Sequence, residues 1–142
     1  QQGATHLVVL DGDGQHDPTL IPLFTERLQE ADIVFGYRQL SSSMPFILRF
    51  GNWFISTTAR SLFKVHLQDT QSGYRAFTAE AYAKIRWQAS DYSMESEMIA
   101  NVGKHNLKYA QIPIQTIYSD KYKGTTIIDG VKIVFKMLRW RM

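Results

Sequence analysis

Asp11 and Asp13 stand one residue apart between Gly12 and Gly14, just after the apolar run His6-Leu7-Val8-Val9-Leu10. The run reads as a buried strand. The two carboxylates therefore sit on a turn at a strand's C-terminal end, where open α/β sheets bind their ligands. Hard oxygen donors on such a turn suit Mg²⁺ or Mn²⁺, an ion usually shared with substrate phosphates. A calcium EF-hand loop opens in the same way but needs Gly at its sixth position and Glu at its twelfth. His16 and Pro22 stand there instead. Asp and Gly are also ordinary turn residues; the strand before the pair and Gln15-His16-Asp17-Pro18 after it set this turn apart.

Other residues could serve the same chemistry. The polar stretch Asp69-Thr70-Gln71-Ser72-Gly73-Tyr74-Arg75 offers a carboxylate to accept a proton or a sugar hydroxyl, and a guanidinium fork for phosphate. Arg38 ends a predicted strand and Arg49 lies on the polar stripe of a predicted helix; either could neutralise phosphate charge. Glu95 and Glu97 are two residues apart on a helix and point to nearly opposite sides; helix phase favours Glu95 as the one facing a site. The four histidines lack metal-ligand spacing, and there is no P-loop and no G-x-S-x-G nucleophile elbow. The absence of cysteine excludes disulfides, thiolate zinc sites and cysteine nucleophiles.

The elements that must position these groups alternate. Asp17 and Pro18 start a helix running to about Glu30, with Leu20, Leu23, Phe24 and Leu28 on one face. A strand over 31–36 follows. A long helix over 45–63 carries an apolar stripe of Phe46, Ile47, Phe50, Phe54 and Leu62, with Arg49, Asn52, Ser56 and Arg60 on another face. A short strand and helix cover 76–87, and a helix covers 93–104. The strand over 107–118 contains Pro113, the mark of an edge or a bulge. A final helix over 126–142 is basic and amphipathic. The strand–helix–strand pattern over 5–36 predicts parallel pairing, and the whole predicts an α/β domain with a mixed sheet. The 142 residues carry a net charge of +3, which suits anionic partners. No apolar run approaches the ~20 residues that cross a bilayer. The chain opens at Gln1 and enters a strand almost at once, so we expect it to be the C-terminal portion of a longer protein.

Five segments together resemble the family 2 glycosyltransferases with a GT-A fold, and within them the dolichyl- and polyprenyl-phosphate sugar synthases. They are LDGDGQHDP at 10–18, FGYR at 35–38, DTQSGYRAF at 69–77, ESEMI at 95–99 and IPIQTIY at 112–118. The resemblance implies a GT-A, Rossmann-like mixed sheet flanked by helices, with the N-terminal nucleotide-binding units missing. It implies a partial catalytic domain over 1–124 and a basic amphipathic helix over 125–142. Asp11, Asp13 and Gln15 would hold Mg²⁺ or Mn²⁺ on the donor diphosphate. Asp11 would contact the nucleotide and metal-bound water, and Arg38 and Arg49 would bind the donor or acceptor phosphates. Asp69 and Arg75 would line the sugar and acceptor site, and the family pattern at 95–99 favours Glu97. One departure stands out: an arginine the synthases often place after the P-I strand is absent from Ser119-Asp120-Lys121-Tyr122-Lys123-Gly124. A lysine there lacks the bidentate fork.

These readings predict a metal-dependent inverting transferase. It would move a sugar from a UDP- or GDP-linked donor to a polyprenyl or dolichyl phosphate, at the cytoplasmic face of a membrane. The second reading is transfer to a glycan or other hydroxyl, with Asp69 as base. A third is a noncatalytic polyanion-binding module, although no aromatic–basic nucleic-acid motif supports it.

Overall fold

The computed structural model describes residues 3–39, 46–90, 93–115 and 127–141. Four strands form one sheet: β1 (His6–Val9), β2 (Ile33–Arg38), β3 (Arg75–Thr78) and β4 (Tyr109–Ile114). Their order is β1-β3-β2-β4. β3 runs antiparallel to both neighbours, while β2 and β4 are parallel, in register from Ile33 opposite Tyr109 to Arg38 opposite Ile114. The expected parallel pairing of β1 with β2 is therefore corrected. The two strands point the same way, but β3 lies between them and takes the hydrogen bonds of both. Pro113, which has no N–H to donate, lies on β4 at the sheet's edge as expected.

Local chemistry explains the helices. Asp17 accepts from the Thr19 N–H (2.9 Å) and hydroxyl (2.7 Å), so a 3-10 turn over Pro18–Leu20 leads into α1 (Ile21–Arg27). Thr78 ends β3 and caps α3 (Ala79–Ile85) by accepting from the Ala81 N–H at 3.1 Å. α2 (Phe46–Phe63), α4 (Met94–Lys104) and α5 (Ile127–Arg141) complete the set.

Strand alternation divides the core between the two faces of the sheet. Phe24 and Leu28 of α1 pack with Val34, Tyr74, Ala76, Ile112 and Ile114 on one face. On the other, Ile33, Phe35 and Phe77 meet Ile55 and Ala59 of α2, Ile85 of α3, Met98, Ile99 and Val102 of α4, and Ile133 and Met137 of α5. α2 buries Asn52, Ile55 and Ala59, whereas Phe46, Ile47, Phe50 and Phe54 of its apolar stripe are exposed.

Candidate active site

The acidic turn is held from beneath by a stack of rings. Nδ1 of the buried His16 accepts the backbone N–H of Asp11 at 3.2 Å. The His16 ring stacks on Tyr74, with centroids 5.3 Å apart, and Tyr74 stacks on Phe24 at 4.3 Å. The Tyr74 hydroxyl donates to the Asp17 carbonyl at 3.0 Å, tying the far end of the turn to the same ring. Asp13 accepts the Gln15 N–H at 3.0 Å, closing an Asx turn. The Asp11 and Asp13 side chains stand exposed on this base, and Gln15 is half-buried.

The second motif lies alongside. The Asp11 carboxylate rests on Gly73 so closely that a Cβ there would stand 2.7 Å from its Oδ1 and nearer still to Oδ2. Asp69 takes a bidentate pair from Arg38, with Nε at 2.6 Å and Nη2 at 3.0 Å. It also accepts the N–H groups of Arg38 (3.2 Å) and Gln71 (3.0 Å). The two side chains are 1% and 14% exposed. Asp69 and Arg38, expected at sugar and phosphate respectively, are thus brought to the site but turned toward each other. Four donors thus converge on the Asp69 carboxylate.

Arg75, expected at the sugar and acceptor site, is also turned inward. It is buried at the start of β3, where Nε and Nη2 donate to the Ser72 carbonyl (3.0 and 2.7 Å) and Nη1 reaches Met98 Sδ at 3.3 Å. Its guanidinium lies 5.6 Å from the centre of the Phe35 ring. Burial pushes its pKa down, and the charges of Glu95, Asp69 and Asp11 push it back up. A phosphate cannot reach a guanidinium enclosed this way; Arg75 fastens the 72–75 loop to the sheet. Glu95, half-buried in the first turn of α4, is near enough to Arg75 for its charge to raise that pKa. Glu97, favoured by the family pattern, instead accepts the N–H groups of Gln88 (3.0 Å) and Ala89 (2.9 Å). It also lines a separate groove of about 580 Å³ with Leu62, Lys104, Trp140 and Arg141. Arg49 is exposed on α2. Residues 119–124 lie outside the described residues.

Among the described residues no group of three acidic or histidine side chains converges as a metal cage. The chemistry of the acidic turn suits a different arrangement. Mg²⁺ is commonly held by one or two carboxylates, its other positions left to water and substrate phosphate. Two exposed carboxylates on a braced turn fit that demand.

Two expected results follow from this geometry. Gly73→Ala forces the Asp11 carboxylate aside. Affinity of the acidic turn for Mn²⁺ should fall while the melting temperature moves little; calorimetry on the same sample reads both. His16 must be neutral at Nδ1 to accept from Asp11. Burial lowers its pKa, against the raising charges of Asp11 and Asp13. The unfolded chain therefore binds the proton more readily, and stability must fall as pH drops through about 6.5. Thermal unfolding in metal-free buffer should show this loss, and His16→Asn, which keeps an acceptor that does not titrate, should reduce it.

No protein-family model matches the chain. It is 31% identical to the UDP-N-acetylglucosamine–dolichyl-phosphate N-acetylglucosaminyltransferase of Methanococcus voltae, over 99% of this chain and 60% of that protein. It is 26% identical to the undecaprenyl-phosphate mannosyltransferase of Micrococcus luteus, over 99% of this chain and 61% of that one. The dolichol-phosphate mannosyltransferase of Pyrococcus furiosus is 25% identical over 94% of this chain and 40% of its own. The chain thus spans between 40% and 61% of the length of these curated relatives. The glucosyl-3-phosphoglycerate synthase of Mycobacterium tuberculosis superposes with a TM-score of 0.67 at 13% identity, covering 96% of this chain and 50% of that one. The fold is therefore of the GT-A glycosyltransferase type, as the sequence motifs imply.

Proposed function

We propose that this chain carries the metal- and diphosphate-binding half of an inverting glycosyltransferase that moves a sugar from a nucleotide-linked donor to a polyprenyl phosphate at a membrane surface. The observation that carries the reading is the exposed Asp11–Asp13 pair at the end of β1, braced by His16 and Tyr74 and seated on Gly73. Asp11, Asp13 and Gln15 would hold Mg²⁺ or Mn²⁺, which supplies charge to the departing nucleoside diphosphate when bound. The printed names of the relatives, two dolichyl- or dolichol-phosphate transferases and one undecaprenyl-phosphate transferase, support the acceptor class.

The buried layer favours a phosphate acceptor over a hydroxyl. A hydroxyl needs a base to take its proton, and Asp69, expected in that role, has its carboxylate filled by Arg38 and Gln71. A phosphate is already ionised near pH 7 and attacks the anomeric carbon with no base, from the side opposite the leaving group. Asp69, Arg38 and Arg75 keep the 69–75 loop fixed, so that Gly73 presents a flat floor to Asp11. Exposed Arg49 is left to meet phosphate from solvent. No helix among the described residues is long and apolar enough to cross a membrane. In this reading the domain works peripherally, on the cytoplasmic face.

The test is transfer itself. The protein containing this chain, given labelled nucleotide sugars and either polyprenyl phosphate or a free glycan, should label the lipid phosphate, and only with Mg²⁺ or Mn²⁺ present. Labelling of the glycan alone would overturn the acceptor assignment.

A further inference from the structure

The C-terminal ends of α2, α4 and α5 meet around a groove of about 580 Å³. That is the size of a small-molecule site, about 300–1,000 Å³. Phe63 and the half-buried Trp140 give it an apolar wall, and Lys64, Lys104 and Arg141 bring three cations to it. Glu97 is the one carboxylate in its lining and already accepts two backbone N–H groups. No residue of the acidic turn or of the 69–75 loop takes part. From Glu95 to Gly103 α4 rises about 12 Å, at about 1.5 Å per residue, so the groove lies away from that site.

Lys64 is the residue that local structure does not account for. Among the described residues, Lys64 and Asn106 are the only non-glycine residues with positive φ, 59° and 49°, and both line this groove. Asparagine enters that region readily; lysine does not. Lys64 closes α2 by donating its N–H to the Arg60 carbonyl at 3.1 Å, at a position just past the helix that glycine ordinarily takes. A lysine there carries a conformational cost that glycine avoids, and such strained residues cluster where ligands bind. Capping by the ammonium does not offset the cost. The carbonyls of Arg60, Asn101, Val102 and Gly103 accept the backbone N–H groups of Lys64, His105, Leu107 and Asn106, and the Leu62 carbonyl accepts from the Arg141 guanidinium. Among the described residues, neither the Lys64 nor the Lys104 ammonium has a hydrogen bond or an ion pair.

We propose that this groove is a second binding site, for an organic phosphate that carries a planar ring, such as a nucleoside monophosphate. Lys64 and Lys104 meet the phosphate as point charges on flexible stems, and Arg141 adds guanidinium donors. The Trp140 indole offers the ring a stacking surface. Asn101 and Asn106, also in the lining, carry amides that both donate and accept, as the edge of a heterocycle requires. A bare phosphate would use the cations and leave the aromatic wall to water. A wholly apolar ligand would cover charged groups without pairing them, which is costly. A ring-bearing anion satisfies both walls. The site calls for neither the acidic turn nor a metal, so it goes beyond the transferase reading and does not rest on it.

The test is calorimetric titration of the full chain with uridine monophosphate, with a chelator present so that no divalent metal recruits the nucleotide to Asp11 and Asp13. The wild-type chain should bind the nucleotide more tightly than it binds inorganic phosphate or uridine. Lys64→Gly should bind it at least about tenfold more weakly, from the loss of one charge-assisted hydrogen bond. The same variant, without ligand, should melt about 4 °C higher, because glycine takes the left-handed turn freely. Lys64→Gly/Lys104→Ala should abolish binding, and Asp13→Asn should bind as the wild type does. No binding by the wild type, equal binding by the double variant, or inorganic phosphate held as tightly as the nucleotide would overturn the proposal. Binding lost in Asp13→Asn would overturn it in favour of the acidic turn. A lower melting temperature for Lys64→Gly would overturn it as well, since Lys64 would then be holding the fold and not awaiting a ligand.

Discussion

Asp13→Ala is expected to lower sugar transfer by about 1,000-fold with little change in melting temperature. The size follows from the charge at stake. A departing nucleoside diphosphate that loses its cation forfeits several kcal/mol of transition-state stabilisation, and about 4 kcal/mol is a factor of about 1,000. Stability is spared because Asp13 is exposed and its one described bond is the acceptance of the Gln15 N–H. Asp13→Asn is the sharper control, since it keeps the Asx turn and removes the charge. It should be nearly as inactive as the alanine. Steady-state rates over a Mn²⁺ titration, with unfolding curves on the same preparations, check both halves. An asparagine variant with near wild-type activity would mean that the turn, rather than the charge, is what counts.

Asp69→Ala is expected to destabilise the fold by about 3–5 kcal/mol, because removing one partner of a buried ion pair strands the other. Here Arg38, 14% exposed, loses its bidentate carboxylate, and the N–H of Gln71 loses its acceptor as well. Against a typical domain stability of ~5–15 kcal/mol, that leaves a marginal protein. The double replacement Arg38→Met/Asp69→Leu should recover much of the loss, since apolar residues of similar size can replace a buried pair at small cost. Urea unfolding of the three proteins reads the result directly. If Asp69 acted mainly on substrate, the single variant would unfold like wild type while losing activity, and the double variant would recover nothing.

This pair also marks what a sequence can and cannot disclose. The alternation of elements, the Asp17 cap, the edge position of Pro113 and the acidic turn after β1 all rest on local signals: hydrophobic period, a capping side chain, a missing N–H. Those signals survive in the chain as written. The insertion of β3 between β1 and β2 depends on pairing between residues some 70 positions apart, such as His6 with Thr78, and no local pattern encodes it. At the site, the resemblance implied that Asp69, Arg38 and Arg75 serve one centre, yet residue type does not say whether a guanidinium faces a phosphate or a carboxylate. Burial decides that, and burial is a tertiary property. Gly73 was legible only as a turn glycine; its contact with Asp11 joins two loops some 60 residues apart. The apolar stripe on α2 does not mark its buried face, for a related reason. A one-sided apolar helix faces whatever is apolar, and for α2 the protein's own core takes Asn52, Ile55 and Ala59 instead.

The most direct measurement concerns coupling at the acidic turn. Titrating Mn²⁺ into the protein with and without a nucleoside diphosphate, by the enhanced water relaxation of bound Mn²⁺, gives the affinity of each ligand in the presence of the other. If Asp11 and Asp13 present a cation to a diphosphate, each ligand must tighten the other by the same factor, and Asp13→Asn must remove the coupling. Diphosphate binding of equal strength with and without Mn²⁺, or coupling undiminished in Asp13→Asn, would contradict the account.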